Sequence, residues 1–504
     1  MEQQETKAAQ VHGDAPADVP QAPEQGAVAD LPEEDAKISR LGTASLGALL
    51  LEFAIPSVFS TVLTALYNVI DSIFLGQAMG EIGLAATTVA SPVMTIMMAL
   101  AVLAGAGGNA LAAIILGRGD HDRAEKTLGN TMFLMIAFAI PVALLATFCI
   151  DPLLILVGAT DVTLPYAHRF VQIVSYGFLL NNIAYGISNF MRTSGAPWQA
   201  LGVGALGTVV CIVLNALFVL YLGWGVVGSA LATICGQGAS SVWVLWFFIF
   251  NKKAPLHLRV RYLVPEGKLC LKIMSLGIAP CALQAAAAIT QVAGNNVMAT
   301  LGAGDAIGTD GALASLGVVV KIIMFAVFPA VGIATGAQPI LGFNVGARKH
   351  ARVKRTLYLA IASAFVVLLC FFISFHVVPR AIIGLFGVED ELMDFSVQAL
   401  KIATAIVPLS CVQTITSNYF QSTGQPTKSM LLSLTRQILY LLPMYYIVPK
   451  VLPMLVPSLT PLVSFCFAFP VADFLAFVTC SIFLMFEIRR LNGLIREEDE
   501  RSHG

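Results

Sequence analysis

Two stretches decide the reading of this chain: GGNALAAIILGRGDHDRAEKTL at residues 107–128 and GAQPILGFNVGARKHARVKRTL at residues 336–357. Aligned at an offset of 229 residues, they share Gly107/Gly336, Gly117/Gly346, His121/His350, Arg123/Arg352, Thr127/Thr356 and Leu128/Leu357. Each carries an apolar segment into a short charged loop and out into another apolar segment. The same offset takes Gly158, Asp161, Asn189, Gly195 and Pro197 onto Gly387, Asp390, Asn418, Gly424 and Pro426 without a gap. Upstream, Leu75-Gly76 matches Leu301-Gly302, and Pro56 matches Pro280 after a small loop insertion. Glycines alone can coincide by chance in an apolar chain. Coinciding Asp and Gly-x-Pro loops argue for internal duplication.

The segments between those loops are too apolar for a soluble core. Of 504 residues, 57% are hydrophobic and 12% charged, against about 25% charged in an average soluble protein. Such a chain would aggregate in water, and its natural solvent is a bilayer. It is too apolar to be disordered, and a net charge of −1 leaves no basic excess for nucleic acid. Apolar runs predict twelve membrane spans, near 46–75, 83–116, 127–149, 165–190, 197–220, 226–250, 270–300, 311–345, 354–379, 394–421, 427–449 and 461–486. Pro56, Pro280, Pro329 and Pro408 lie inside these runs, where kinks are expected. The fold class is an all-α integral membrane protein.

Basic residues set the orientation. With the N-terminus in the cytoplasm, 23 Lys and Arg fall in inside segments and only Arg380 and Lys450 in outside loops. Both termini are then cytoplasmic. The expected organisation is an acidic disordered tail at 1–44, an N-terminal lobe at 45–250, a cytoplasmic linker at 251–269, a C-terminal lobe at 270–487 and a cytoplasmic tail at 488–504. Six spans per lobe is an even number, so the lobes are parallel repeats. In transporters of that architecture the substrate path runs between the halves.

Few charges remain inside the spans, and intramembrane charges are functional candidates by default. Asp71 lies on one helical face with Ser60, Thr64 and Tyr67, next to Asn68. A carboxylate there can bind a proton, Na⁺ or a cationic drug; the plain alternative is an Asp capping the helix end near the headgroups. Asn215, Thr233 and Gln237 offer polar partners, or serve as helix–helix glue. In the second half, Lys321 and Arg436 are cations that can neutralise Asp473 or line a cavity. Gln284, Gln338 and Asn344 add polar lining. The nine cysteines include no Cys-x-x-Cys pair and read as packing residues, with neither disulfide nor metal site expected. No nucleotide-binding P-loop is present, so transport must draw on a gradient or on the substrate itself.

Three stretches resemble the multidrug and toxin extrusion (MATE) family, and in particular its MepA-like branch: Pro56 through Val69-Ile70-Asp71-Ser72-Ile73-Phe74-Leu75-Gly76; Gly225-Val226-Val227-Gly228-Ser229-Ala230-Leu231-Ala232-Thr233; and Met324-Phe325 through Gly336-Ala337-Gln338-Pro339 to Gly346-Ala347. The resemblance spans nearly all of residues 45–487. It implies kinked first and seventh helices and efflux of lipophilic, often cationic compounds by antiport with H⁺ or Na⁺. It places the coupling acid at Asp71, with Tyr67 and Thr233 close by. The chain departs from relatives that carry Asn-x-x-x-Asp on the fifth helix, because Asn215 here closes Cys211-Ile212-Val213-Leu214-Asn215. One carboxylate suffices for a proton, so H⁺ is the expected coupling ion and Na⁺ the alternative.

The expected partners are a small drug or amphipath, a coupling cation and the bilayer. The chain is expected to act as a monomer in a bacterial-type plasma membrane, without cofactor or enzymatic activity. The rival reading is a related flippase exporting a lipid-linked or other endogenous amphipath.

Overall fold

The computed structural model describes residues 40–156, 162–251, 254–304, 307–386 and 390–503, apart from the side chains of a few helical residues. Residues 1–39 of the acidic tail expected at 1–44, and the repeat matches Gly158/Gly387 and Asp161, lie outside the described residues, whereas residues 40–43 of that tail are helical and Arg40 pairs with Glu52 at 3.0 Å. Among those described there is no β-strand. The main helices are α1 (Leu46–Gly117), α2 (His121–Phe148), α3 (Leu164–Tyr176), α4 (Pro197–Asn215), α5 (Gly225–Ile249), α6 (Gly267–Gly302), α7 (Gly308–Gly346), α8 (His350–Val377), α9 (Asp390–Ala403), α10 (Ser410–Ser422), α11 (Pro426–Leu434), α12 (Leu442–Leu455) and α13 (Ala468–His503). By length and hydropathy they give eleven candidate spans, and twelve once the bent pair Leu164–Tyr176 and Phe178–Thr193 counts as one.

The first two expected spans share the helix α1. Straight, its 72 residues would reach about 108 Å, far beyond the ~30 Å hydrocarbon core. The helix instead doubles back. Gly42, just before it, and Gly117, at its end, both abut Phe343. At the bend, a Cβ added to Gly83 would sit 3.2 Å from the Leu75 carbonyl oxygen, eight residues earlier. Residues 76–82 contain no proline, so helical hydrogen bonding persists around the turn. Pro56, Pro280 and Pro329 also sit within unbroken helical assignments, whereas Pro408 lies in a 3₁₀ interruption between α9 and α10.

The duplication is visible in backbone geometry. Gly195 and Gly424 adopt φ +76° and +78°, and Pro197 and Pro426 open the helices that follow, where a missing N–H is harmless. The linker after α5 is not slack. Glu125, buried on α2, accepts from the His257 amide at 3.1 Å and the Arg259 Nε at 2.9 Å. Asn130 accepts from the Glu266 amide at 2.7 Å. At the other end of the chain, buried Glu487 takes bonds from Tyr419, Gln425 and Arg490, fixing the helical C-terminal extension to α10.

Candidate coupling site and interlobe seam

Asp71 projects from α1 between α4 and α5. Asn215 Nδ2 donates to its Oδ1 at 2.6 Å, and the Ser229 hydroxyl donates to the same oxygen at 2.7 Å. Both donors are buried, at 1% and 0% exposure. Local sequence explains the placement. Asn215 is the last α-helical residue before a π-helical stretch, Ala216–Tyr221, and such stretches re-aim side chains and recur at functional sites. Ser229 lies one turn into α5, which starts at Gly225 with φ +55°.

The carboxylate is thus held by neutral dipoles and has no ion-pair partner among the described residues. Asn215 Oδ1 is buried without a partner, as is Gln237 Oε1 further along α5. A lone carboxylate with an unsatisfied acceptor beside it is an incomplete arrangement, and a bound proton or cation would complete it. For Na⁺, Asp71 and Asn215 Oδ1 would be the oxygen donors at hand. Among the described residues no three His, Cys, Asp or Glu converge as a metal cluster.

The remaining expected residues separate into distinct places. Thr233 meets the Cys211 thiol at 3.8 Å, one turn along α5 from Ser229. Thr64 is exposed and bonds back to the Ser60 carbonyl. The side chains of Tyr67 and Asn68 lie outside the described residues. Arg436 donates from Nε to Asp473 Oδ1 at 2.5 Å, so the two form a buried ion pair in the C-terminal lobe. Arg436 sits in a second π-helical stretch, Thr435–Leu441, and its neighbour Gln437 accepts from Thr290. Lys321 is exposed and forms no ion pair among the described residues, and Gln284 is half-buried.

Gln338 and Asn344, expected as polar lining, make their hydrogen bonds across the contact between the lobes. Asn109 Nδ2 donates to Gln338 Oε1 at 3.2 Å, and Thr193 donates to Asn109 Oδ1 at 2.6 Å. Asn344 donates to the Leu41 carbonyl at 2.9 Å. Arg352 reaches the Ala44 carbonyl at 2.7 Å and Lys349 the Gly42 carbonyl at 2.9 Å. Close backbone approach makes this seam possible. A Cβ on Gly117 would lie 2.0 Å from the Phe343 carbonyl oxygen, and one on Gly346 would lie 2.0 Å from that of Ile114. The seam lies at the end of the bundle that carries the basic loops.

Sequence reasoning passed over two of these partners. Ser229 lies in the Gly225–Thr233 stretch about one helical turn before Thr233, and that spacing is the available signal. Asn109 offered none alone; its role follows only when it is paired with its repeat equivalent.

Known proteins share this fold. The family model described as MatE matches the chain twice, over residues 56–217 and 287–447. The multidrug export protein MepA of Staphylococcus aureus (strain N315) is 22% identical over 377 residues, covering 75% of this chain and 81% of its own. A solved MATE structure in complex with MaL6 superposes with a TM-score of 0.82 at 21% identity, covering 91% of this chain and 99% of that one. A MOP superfamily transporter from Pyrococcus furiosus, described as having a binding pocket of reverse polarity, gives 0.82 at 21% identity, covering 90% and 98%. The two MatE matches together span more than half of the residues, one in each half of the duplicated bundle, and the chain belongs to the MATE family.

Proposed function

We propose that this protein is a secondary antiporter that exports lipophilic, often cationic compounds in exchange for H⁺ through Asp71. The observation that carries the reading is the Asp71 carboxylate held by Asn215 and Ser229, with no counter-charge among the described residues. The name of its MepA relative supports the substrate class. The basic loops support a cytoplasmic location for both termini and for the interlobe seam, in a bacterial-type plasma membrane. The bundle is then sealed on its cytoplasmic side, with lobes at 45–250 and 270–487 as the moving bodies.

Hydrogen-bond bookkeeping supplies the mechanism. An ionised Asp71 accepts from both neighbours. A protonated one gains a donor and needs an acceptor, and Asn215 Oδ1 is the unsatisfied acceptor beside it. Proton loading therefore rearranges the contacts of α1 with α4 and α5. Coupling follows if drug prefers one arrangement and proton the other.

The test is ethidium efflux from a pump-deficient host, with H⁺ and Na⁺ gradients collapsed separately, alongside drug-driven proton flux in proteoliposomes. Efflux is expected to stop with the H⁺ gradient, and Asp71→Asn is expected to abolish the flux. Efflux that follows only the Na⁺ gradient would reassign the ion. Full transport by Asp71→Asn would overturn the site.

A further inference from the structure

A second unusual place lies in the C-terminal lobe, far from Asp71. The tenth span is broken: α9 ends at Ala403 and turns lead into the 3₁₀ segment Val407–Leu409 before α10 resumes. There Val407 bonds back to Thr404 and Leu409 to Ile406, so the α-helical ladder is interrupted. The last span is broken beside it, between Pro461–Cys466 and α13, at Phe467. Irregular backbone at membrane depth persists where it is buried in protein or lines a cavity, and broken helices frequently mark binding sites.

Here they line a groove of about 560 Å³, walled by Ile402, Ile406, Phe467, Pro470 and Phe474, with Lys401 on its rim. The lining is otherwise apolar. The groove opens toward lipid. Val471 and Phe474 head a stripe that continues through Val478, Ile482, Met485 and Phe486, all exposed and all apolar. That stripe extends from Val471 to Phe486 along the apolar part of α13, and an exposed apolar face on a membrane span fits contact with lipid. Asp473 is buried on the other side, with Arg436.

Lys401 is exposed and forms no ion pair among the described residues. It lies seven residues along α9 from Asp394, which pairs with Arg380 at the surface opposite the basic loops. Seven residues of helix put its Cα about 10 Å deeper. Helical side chains tilt toward the helix N-terminus, which for α9 is the near surface, so the ammonium snorkels back toward the headgroups. The rest of the groove runs deeper than Lys401.

We propose that this groove binds an anionic phospholipid from the leaflet opposite the basic loops, its acyl chain between the two broken helices and its phosphate on Lys401. A lone cation above a bilayer-facing apolar slot is complementary to that molecule end to end. The inference does not depend on what the protein transports.

Delipidated full-length protein in detergent is titrated with palmitoyl-oleoyl phosphatidylglycerol, or with the phosphatidylcholine of the same chains, and bound lipid is read by native mass spectrometry. The first phosphatidylglycerol is expected to bind about fivefold more tightly, the effect of one lysine near a headgroup. Lys401→Gln is expected to erase that preference while keeping phosphatidylcholine, and Ala405→Phe, which fills the groove, to weaken both. Equal binding of the two lipids by the wild type, or an unchanged preference in Lys401→Gln, overturns the headgroup contact. Unchanged binding in Ala405→Phe overturns the groove.

Discussion

Asn109 and Gln338 hold the same position in the two repeats, 229 residues apart, and they hydrogen-bond to each other at 3.2 Å. Residues related by a twofold can touch only at its axis. Ala113 with Gly342 and Gly117 with Gly346 keep the same offset and also meet, so the axis runs down this seam. Asn109→Ala leaves the buried Gln338 amide and the Thr193 hydroxyl short of partners. The expected cost is roughly 1–3 kcal/mol. Asn109→Leu combined with Gln338→Leu removes both polar groups and is expected to cost less than the sum of the single changes. Thermal unfolding of the single and double variants in detergent measures the coupling, and strict additivity would deny it.

The Asp71 site gives a graded series. Ser229→Ala keeps the carboxylate but removes one of its two donors; Ser229→Thr keeps the hydroxyl. Drug-driven proton flux in proteoliposomes is expected to fall by roughly ten- to a hundredfold in the alanine variant and to recover in the threonine one. Removal of a hydrogen bond to a charged group, worth about 1.5–3 kcal/mol, sets that scale. If Ser229→Ala transports at the wild-type rate, the hydroxyl does not hold the coupling carboxylate.

Much of this was legible in the sequence because apolar run length, basic loops and the repeat offset are one-dimensional signals. The Asp71–Asn215 pair was legible for a related reason: polar atoms in an apolar span must find one another. The fused helix α1 was not, since Gly76 and Gly80 in its turn at 76–82 suggest a break, yet without a proline the helix carries through. For Gln338 and Asn344, sequence gives the polarity of the residue but not the partner it meets across the lobes. The link from Arg436 to Asp473 was open between two cations, and only packing selects Arg436 over the exposed Lys321.

The repeat also exposes a strained residue. Gly119 turns the chain between α1 and α2 with φ +79°, and its equivalent Arg348 turns it between α7 and α8 with φ +57°. Arg348 is the one non-glycine residue with positive φ among those described. A left-handed conformation costs an ordinary residue roughly 1–2 kcal/mol, and glycine escapes it at some entropic cost. Arg348→Gly is therefore expected to stabilise the protein by about 0.5–1 kcal/mol. An unchanged or lowered unfolding temperature would mean that the Arg348 side chain contributes more than its backbone loses.

The Arg436–Asp473 pair separates structure from coupling. Asp473 is 3% exposed and Arg436 21%, so Asp473→Ala strands a guanidinium in the lobe. Breaking a buried pair from one side typically costs about 3–5 kcal/mol, whereas replacing both members with apolar residues of similar volume is often neutral. Asp473→Ala is expected to lower the unfolding temperature sharply and transport with it. Arg436→Met with Asp473→Leu is expected to restore most of the stability. If ion-driven efflux returns in that double variant, the pair only holds α13 against the π-helical stretch before α12. If the fold recovers and efflux does not, the C-terminal lobe carries a second group in the coupling, and Asp71 does not act alone.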